Sequence, residues 1–205
     1  MQKTVPLEAG KFYHVYTRGN NKETVFRIRE NYHHFLQLYR KYMAPYVNTY
    51  AYCLLPNHVH FLIQVKEEEA LLWKGAAVPT MGKLVSVSHQ LSHLLNAYTK
   101  AFNTVNDRTG SLFQNRFGRK EVTSEAYFTR LVYYIHFNPQ HHGLLDDFSD
   151  WPHSSYHSIL SKKQTNLQRE EVLQWFGGRN WFENFHTENA ADFSPISSLI
   201  EEDDL

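Results

Sequence analysis

The tightest constraint on the fold of this chain is a hairpin at residues 47–65. Its second half, His58-Val59-His60-Phe61-Leu62-Ile63-Gln64-Val65, is nearly continuously apolar. A strand of that composition must be covered on both faces, which places it inside a sheet rather than at its edge. Pro56-Asn57 is the turn signal just before it, so 47–55 and 58–65 are expected to pair across a tight connection. Side chains alternate along a strand, so His58 and His60 share one face and Val59 takes the other. Two imidazoles side by side can grip a divalent metal through one nitrogen each. Two ligands do not make a site, and the rest of the chain has to supply a third and something to activate.

Around that hairpin the patterning predicts further elements. Residues 12–18, rich in aromatic and β-branched types, read as a first strand ending at the turn Gly19-Asn20-Asn21. Apolar residues at helical spacing predict a helix over about 23–43, stopped by Pro45. Residues 70–79 read as loop, and a longer helix is expected over about 81–103. Residues 111–120 read as extended, with a fourth strand at 121–123. Ser124 caps a last core helix running to about Phe137 and ending before Pro139. The order strand–helix–strand–strand–helix–strand–helix implies an α+β fold: a ferredoxin-like antiparallel sheet (βαββαβ) with an additional C-terminal helix that bears the candidate tyrosine. Beyond residue 140 the chain reads as loop-like, with one short helix near 170–176 closed by Gly177-Gly178.

Length and composition narrow the function classes. A chain of 205 residues with 42% hydrophobic content can bury a core. One cysteine, Cys53, excludes an internal disulfide framework and suits a reducing cytoplasm. No apolar run reaches membrane-spanning length and residues 1–6 do not read as a signal peptide, so no membrane partner is expected. Formal charge is zero, but residues 181–205 hold seven acidic side chains and no Lys or Arg, which leaves 21 basic against 14 acidic in residues 1–180. A basic body with an acidic tail is compatible with a phosphate-bearing partner.

The candidate chemistry gathers on the last core helix. Tyr134 and Asn138 are four residues apart and share a helix face, so a phenol and an amide oxygen can both face the histidine strand if the helix packs there. Asn138 would then complete a His58–His60–Asn138 metal site, with the Tyr134 hydroxyl one turn away. A phenol, with its ordinary pKa near 10, needs a polarised phosphate to act as a nucleophile. Tyr127, seven residues earlier, is the rival nucleophile by helical phase, and Tyr133 points into packing. His89 and His93 mimic metal spacing on a helix but lack a Glu or Cys partner in the pattern. Arg116, Arg119 and Lys120, interleaved with Phe113 and Phe117, suit phosphate contact and base stacking, and equally a charged strand edge.

These residues carry a family resemblance. His58-Val59-His60 resembles the His-hydrophobe-His motif of the HUH endonucleases. Tyr134-Ile135-His136-Phe137-Asn138-Pro139 looks like the tyrosine motif of their single-tyrosine transposases, especially the REP-associated tyrosine transposases. Tyr13-His14-Val15 through Arg18-Gly19-Asn20, Leu55-Pro56-Asn57, Gly110 through Phe117, and Trp151-Pro152-His153-Ser154-Ser155-Tyr156 are similar to further family segments, in order, over roughly residues 11–160.

The resemblance implies a transposase that cuts and rejoins single-stranded or hairpin DNA, with Mg²⁺ or Mn²⁺ on His58, His60 and Asn138. Tyr134 would attack and leave a 5′-phosphotyrosine. It also implies DNA contacts from Arg18 and Asn20, a monomer or homodimer, and a cytoplasmic, nucleoid-associated protein of bacteria. On this reading residues 1–160 form the transposase domain and 161–205 an extension with one short helix and an acidic tail. Gln140-His141-His142-Gly143 departs from the Val-Arg-Ala-Gly that often follows Asn-Pro in the family, so a basic residue expected there is missing. The readings held beside it are a non-catalytic hairpin-binding descendant, a replication initiator or relaxase of the same chemistry, and a ferredoxin-like domain for a small ligand.

Overall fold

The computed structural model describes residues 5–72 and 84–188. The expected start of the long helix (81–83), most of the expected loop at 70–79 and the acidic end from 189 onward lie outside the described residues. In chain order the elements are β1 (Phe12–Arg18), α1 (Arg29–Tyr42), β2 (Val47–Leu54), β3 (His58–Val65), the single turn α2 (Glu68–Leu71), α3 (Val87–Val105), β4 (Gly118–Val122), α4 (Glu125–His141), α5 (Tyr156–Leu160), α6 (Arg169–Trp175) and α7 (Arg179–Glu188).

The four strands form one antiparallel sheet in the order β2-β3-β1-β4. This is the ferredoxin-like arrangement the patterning implies, with the apolar β3 in an interior position. Cross-strand partners share a face. Register therefore puts His58 beside Arg18, His60 beside Tyr16, and His14 beside Leu62 on one side and Lys120 on the other. The opposite face, with Tyr13, Val15, Phe61 and Ile63, packs under α1 and α3 against Phe35, Leu94 and Tyr98. The histidine face packs under α4, where Leu62 and Val122 meet Phe128, Leu131 and Ile135. Each side of the sheet thus has its own core, and the histidines lie in the second.

Several boundaries depart from the sequence expectation for local physical reasons. Helix α1 starts at Arg29, not near 23, because the Asn31 side chain accepts the backbone N–H groups of Arg27 (2.9 Å) and Ile28 (3.2 Å) and so sets its first turn. The freed segment crosses the hairpin turn, where the N–H groups of Val25 and Phe26 both donate to the Pro56 carbonyl at 2.7 and 2.9 Å. Helix α4 does not stop before Pro139 but runs on to His141 with Pro139 inside it. Proline forfeits one helical hydrogen bond. Burial of Phe137, Asn138 and Pro139, with Asn138 against His58 of β3, offsets that loss. Residues 140–188 are not loop-like either; they carry α5, α6 and α7. These helices are short, and gain their stability by burying Tyr156, Ile159, Val172 and Phe182 in the second core.

A directional chain of hydrogen bonds ties this C-terminal segment to the core. His186 Nδ1 lies 2.8 Å from the Phe182 carbonyl, which only accepts, so Nδ1 carries the proton and Nε2 accepts. His136 Nδ1, 2.9 Å from that Nε2, must then donate, which leaves His136 Nε2 to accept from the Ser155 hydroxyl at 2.7 Å. Ser155 Oγ in turn accepts the Tyr52 N–H of β2 at 2.9 Å. Every group is fixed as donor or acceptor from β2 through α4 to α7, and both imidazoles are fully buried. An added proton on either has no place in the chain.

Burial accordingly drives the His186 pKa down to about 3 and that of His136 well below its ordinary value. An unfolded histidine titrates near 6.5, so below that pH the unfolded chain takes up protons that the folded chain refuses. Stability therefore falls as pH drops from 6.5 toward 3, by roughly 1.4 kcal/mol per pH unit for each such histidine. Urea denaturation of the wild type between pH 7 and 5 should show this slope. His186→Phe should be less stable at pH 7 yet lose stability with acid more slowly by about that amount per unit; an equal slope in the two proteins would refute the assignment.

Candidate active site

The site is built on the central strand. His58 and His60 are 3% and 0% exposed, with ring centroids 5.1 Å apart, as two same-face positions of one strand require. Among the described residues no group of three or more His, Cys, Asp and Glu side chains could hold a metal ion. A cation bound here would need an amide oxygen, and α4 brings one. Asn138, fully buried, places Oδ1 3.1 Å from His58 Nε2.

The protonation of His58 makes that contact informative. Its Nδ1 lies 2.6 Å from Asn57 Oδ1, and Asn57 is itself anchored by its Nδ2 donating to the Lys22 carbonyl. Burial foremost, then the nearby His142, lowers the His58 pKa to about 3, so the ring is neutral and owns one N–H. The shorter bond to Asn57 takes it, which leaves a bare Nε2 lone pair opposite the Asn138 oxygen. Two acceptors 3.1 Å apart repel unless a cation lies between them. That spacing matches the ~3 Å edge of an octahedron with ~2.1 Å metal–ligand bonds. Turning the Asn138 amide over is the cation-free alternative: Nδ2, otherwise buried without a partner, then donates to His58 Nε2. His60 Nε2 is also buried and unpartnered, and burial holds its ring neutral as well. Two imidazole nitrogens and an amide oxygen, all uncharged and one of them, His60 Nε2, without a partner, fit a divalent cation.

Tyr134 lies one turn before Asn138 on the same face of α4. Its ring meets His60 edge-on at 5.6 Å and His14 at 6.1 Å. The rival Tyr127 sits two turns earlier, ~10 Å along the axis, packed at the rim of the second core. Tyr133 points away, stacked on Phe137 at 5.4 Å. Tyr134, Asn138 and the two strand histidines are thus brought together, with Tyr134 itself fully buried.

Three further residues belong to this cluster and were not singled out from the sequence. His14, 1% exposed, puts Nε2 2.9 Å from His60 Nδ1. Tyr16 lies over both rings, its centroid 4.9 Å from His14 and 6.0 Å from His60. His142, read as loop, caps α4 with its ring 4.8 Å from His58, its Nε2 buried and unpartnered, and its pKa lowered by burial to about 4. It lines a cavity of about 230 Å³ with Arg18, Asn57 and His58. The available signal was period-2 spacing: His14, Tyr16 and Arg18 alternate along β1 as His58 and His60 do along β3.

The basic residues divide between faces. Arg18 and Lys120 lie on the histidine face by register. Arg119 lies on the other, where Nη1 donates to Ser88 Oγ of α3 at 2.8 Å and the guanidinium covers the Phe117 ring at 4.4 Å. Arg116 lines a groove beside α3 with Ser92 and Asn96. Asn20 spends its side chain on the Ser111 carbonyl at 3.1 Å, holding the 111–117 segment against β1.

Comparison with known proteins bears on this arrangement. No protein-family model matches the chain. Over 109 residues the chain is 28% identical to a curated Haemophilus influenzae protein provisionally named a REP-associated tyrosine transposase; the match covers 53% of this chain and 58% of that protein. A solved structure of a REP-associated tyrosine transposase bound to a REP hairpin superposes with a TM-score of 0.57 at 18% identity, covering 79% of this chain and 86% of that one. The second likeness establishes a shared fold. Among the described residues no helix is long and apolar enough to cross a membrane.

Gly118 allows the aromatic cover over the histidines, because a Cβ there would fall inside the Tyr16 ring. Gly118→Ala should therefore destabilise the protein by about 1–3 kcal/mol, the usual cost of overpacking. Adding Tyr16→Ala should return part of that loss, so that the double variant is more stable than the sum of the singles in urea denaturation. Strict additivity would mean that the two positions do not meet.

Proposed function

We propose that this chain is a metal-dependent single-stranded DNA endonuclease and transesterase, a transposase that cuts and rejoins DNA beside a hairpin through Tyr134. The observation that carries the reading is the pair of acceptors, His58 Nε2 and Asn138 Oδ1, facing each other at 3.1 Å with Tyr134 one turn away. The likeness to REP-associated tyrosine transposases, one of them solved with a hairpin, supports it.

On this reading His58, His60 and Asn138 hold Mg²⁺ or Mn²⁺; the imidazoles favour Mn²⁺. The chemistry supplied by such a cation is Lewis-acid polarisation of a phosphate oxygen. Arg18 and His142 line the approach to His58 and steady the strand there, with Lys120 adding charge on the same face. Tyr134 is fully buried, so the scissile phosphate reaches it only when the packing around it opens. The Tyr134 oxygen then attacks phosphorus, the 3′-oxygen of the preceding nucleotide leaves, and a 5′-phosphotyrosine remains. Attack by a DNA 3′-hydroxyl on that ester releases Tyr134 and rejoins a strand. Arg116 and Arg119, on the α3 side, serve DNA beyond the cleavage point. A second reading, a hairpin-binding protein that does not cleave, draws on the complete burial of Tyr134.

Incubation with hairpin-bearing single-stranded DNA and Mn²⁺ should give a covalent protein–DNA adduct resolvable on a denaturing gel. Tyr134→Phe and chelation of the metal should each abolish it. Asn138→Ala and His60→Ala should lower adduct yield by roughly 100-fold or more. An adduct formed by Tyr134→Phe would overturn the nucleophile, and tight hairpin binding with no adduct under any divalent metal would favour the second reading.

A further inference from the structure

We propose that His14 is a positioning residue for the cation site: it accepts the Nδ1 proton of His60 and thereby turns the His60 Nε2 lone pair into the site. This inference rests on the metal-dependent reading of that site, and the geometry of the two ligands supplies the argument.

Both strand histidines are held at Nδ1 and point Nε2 inward, but their holders differ in kind. His58 Nδ1 meets the Asn57 amide oxygen, which can only accept, so its tautomer follows from the partner. His60 Nδ1 meets His14 Nε2 at 2.9 Å, and an imidazole nitrogen can either give or take a proton. Two neutral rings sharing one hydrogen bond therefore have two arrangements. If His14 donates, the His60 proton sits on Nε2, where it has no acceptor and blocks a cation. If His60 donates, its Nε2 lone pair is free and the unused N–H moves to His14 Nδ1. Both outer nitrogens, His14 Nδ1 and His60 Nε2, are buried without a partner, so each arrangement strands one N–H and the protein alone does not choose between them. A cation on His60 Nε2 makes the choice, because only the second arrangement leaves that nitrogen able to bind. A metal-bound histidine commonly gives its other N–H to an acceptor that fixes ring and tautomer. Here that acceptor is another ring.

The surroundings hold His14 to the task. It sits at 1% exposure on β1, between the cross-strand partners Leu62 and Lys120. Its ring lies nearly parallel to His60, with centroids 5.2 Å apart and planes 18° apart. Tyr16 covers its other side at 4.9 Å, and Tyr134 stands edge-on to it at 6.1 Å. The ring cannot swing away without emptying packed space. A neutral acceptor also avoids placing an unpaired carboxylate in a buried position, where its charge would be costly.

The test measures Mn²⁺ binding to the full chain by calorimetry, without DNA. His14→Phe keeps the ring but removes the acceptor, and should raise the Mn²⁺ Kd by about 10–100-fold. His14→Gln, whose carbonyl oxygen can accept from His60 Nδ1, should recover much of that loss. A simple packing role predicts the reverse order, with Phe the better substitute. Should either variant fail to fold, long-range ¹H–¹⁵N spectra of the wild type with Mg²⁺ decide: His60 protonated at Nδ1 supports the inference, and His60 protonated at Nε2 overturns it. An unchanged Kd in folded His14→Phe also overturns it, while the metal-dependent reading stands. A wild type that binds no Mn²⁺ brings down that reading and this inference together.

Discussion

Two neutral imidazoles buried on an interior strand, with no carboxylate assembled around them among the described residues, set the terms for the rest of the molecule. Burial holds His58 and His60 uncharged, so each has one proton to give and one lone pair to place. The protein satisfies the Nδ1 side of both, through Asn57 and His14, and leaves the Nε2 sides facing Asn138 or nothing. An unpartnered buried nitrogen is costly. Here His60 Nε2 is left so, close to the His58 Nε2–Asn138 Oδ1 contact, and on the proposed reading a cation fills that gap.

Placing that oxygen depends on how α4 lies on the sheet. Asn138 reaches His58 only if the helix keeps its rotational phase to within a fraction of a turn, since residues 3.6 apart share a face. Two sets of contacts hold the phase. Phe128, Leu131 and Ile135 pack on the sheet, and His136, on another face of the same helix, is gripped between Ser155 and His186. The C-terminal helices thus brace the face of α4 that turns away from the site. The tyrosine and the asparagine are aimed from behind by residues fifty positions downstream.

The same economy explains the distribution of charge. The histidine face has Arg18 and Lys120 at its margin, while Arg119 crosses to α3 through the alternation of β4. Arg119 and Lys120, adjacent in sequence, do not act as one patch, because a strand sends neighbours to opposite faces. The cavity beside His58 combines Arg18 with His142, so the end of α4 brings an imidazole to the margin of the histidine face.

Much of this was legible in the residues. Alternation along 58–65 put both histidines on one face, the apolar run put their strand inside the sheet, and the four-residue spacing put Tyr134 beside Asn138. These are local periodicities, and the backbone enforces them wherever the chain goes. The sequence also determined the ferredoxin-like order of elements, because a tight hairpin flanked by two strand–helix pairs leaves few ways to close a sheet. What only the tertiary structure decided was everything that depends on contact across long separations. Helix α4 runs through Pro139 because Asn138 is buried against β3, a gain that propensity does not register. The short helices after residue 155 form because the second core, built by the sheet and α4, gives them a surface. His14 and His142 join the site because β1 and the end of α4 converge on His58 and His60; alternation along β1 gives the face of His14 but not its partner, and nothing local announces His142. A sequence encodes which way a side chain faces; which partner it meets is settled when the layers close.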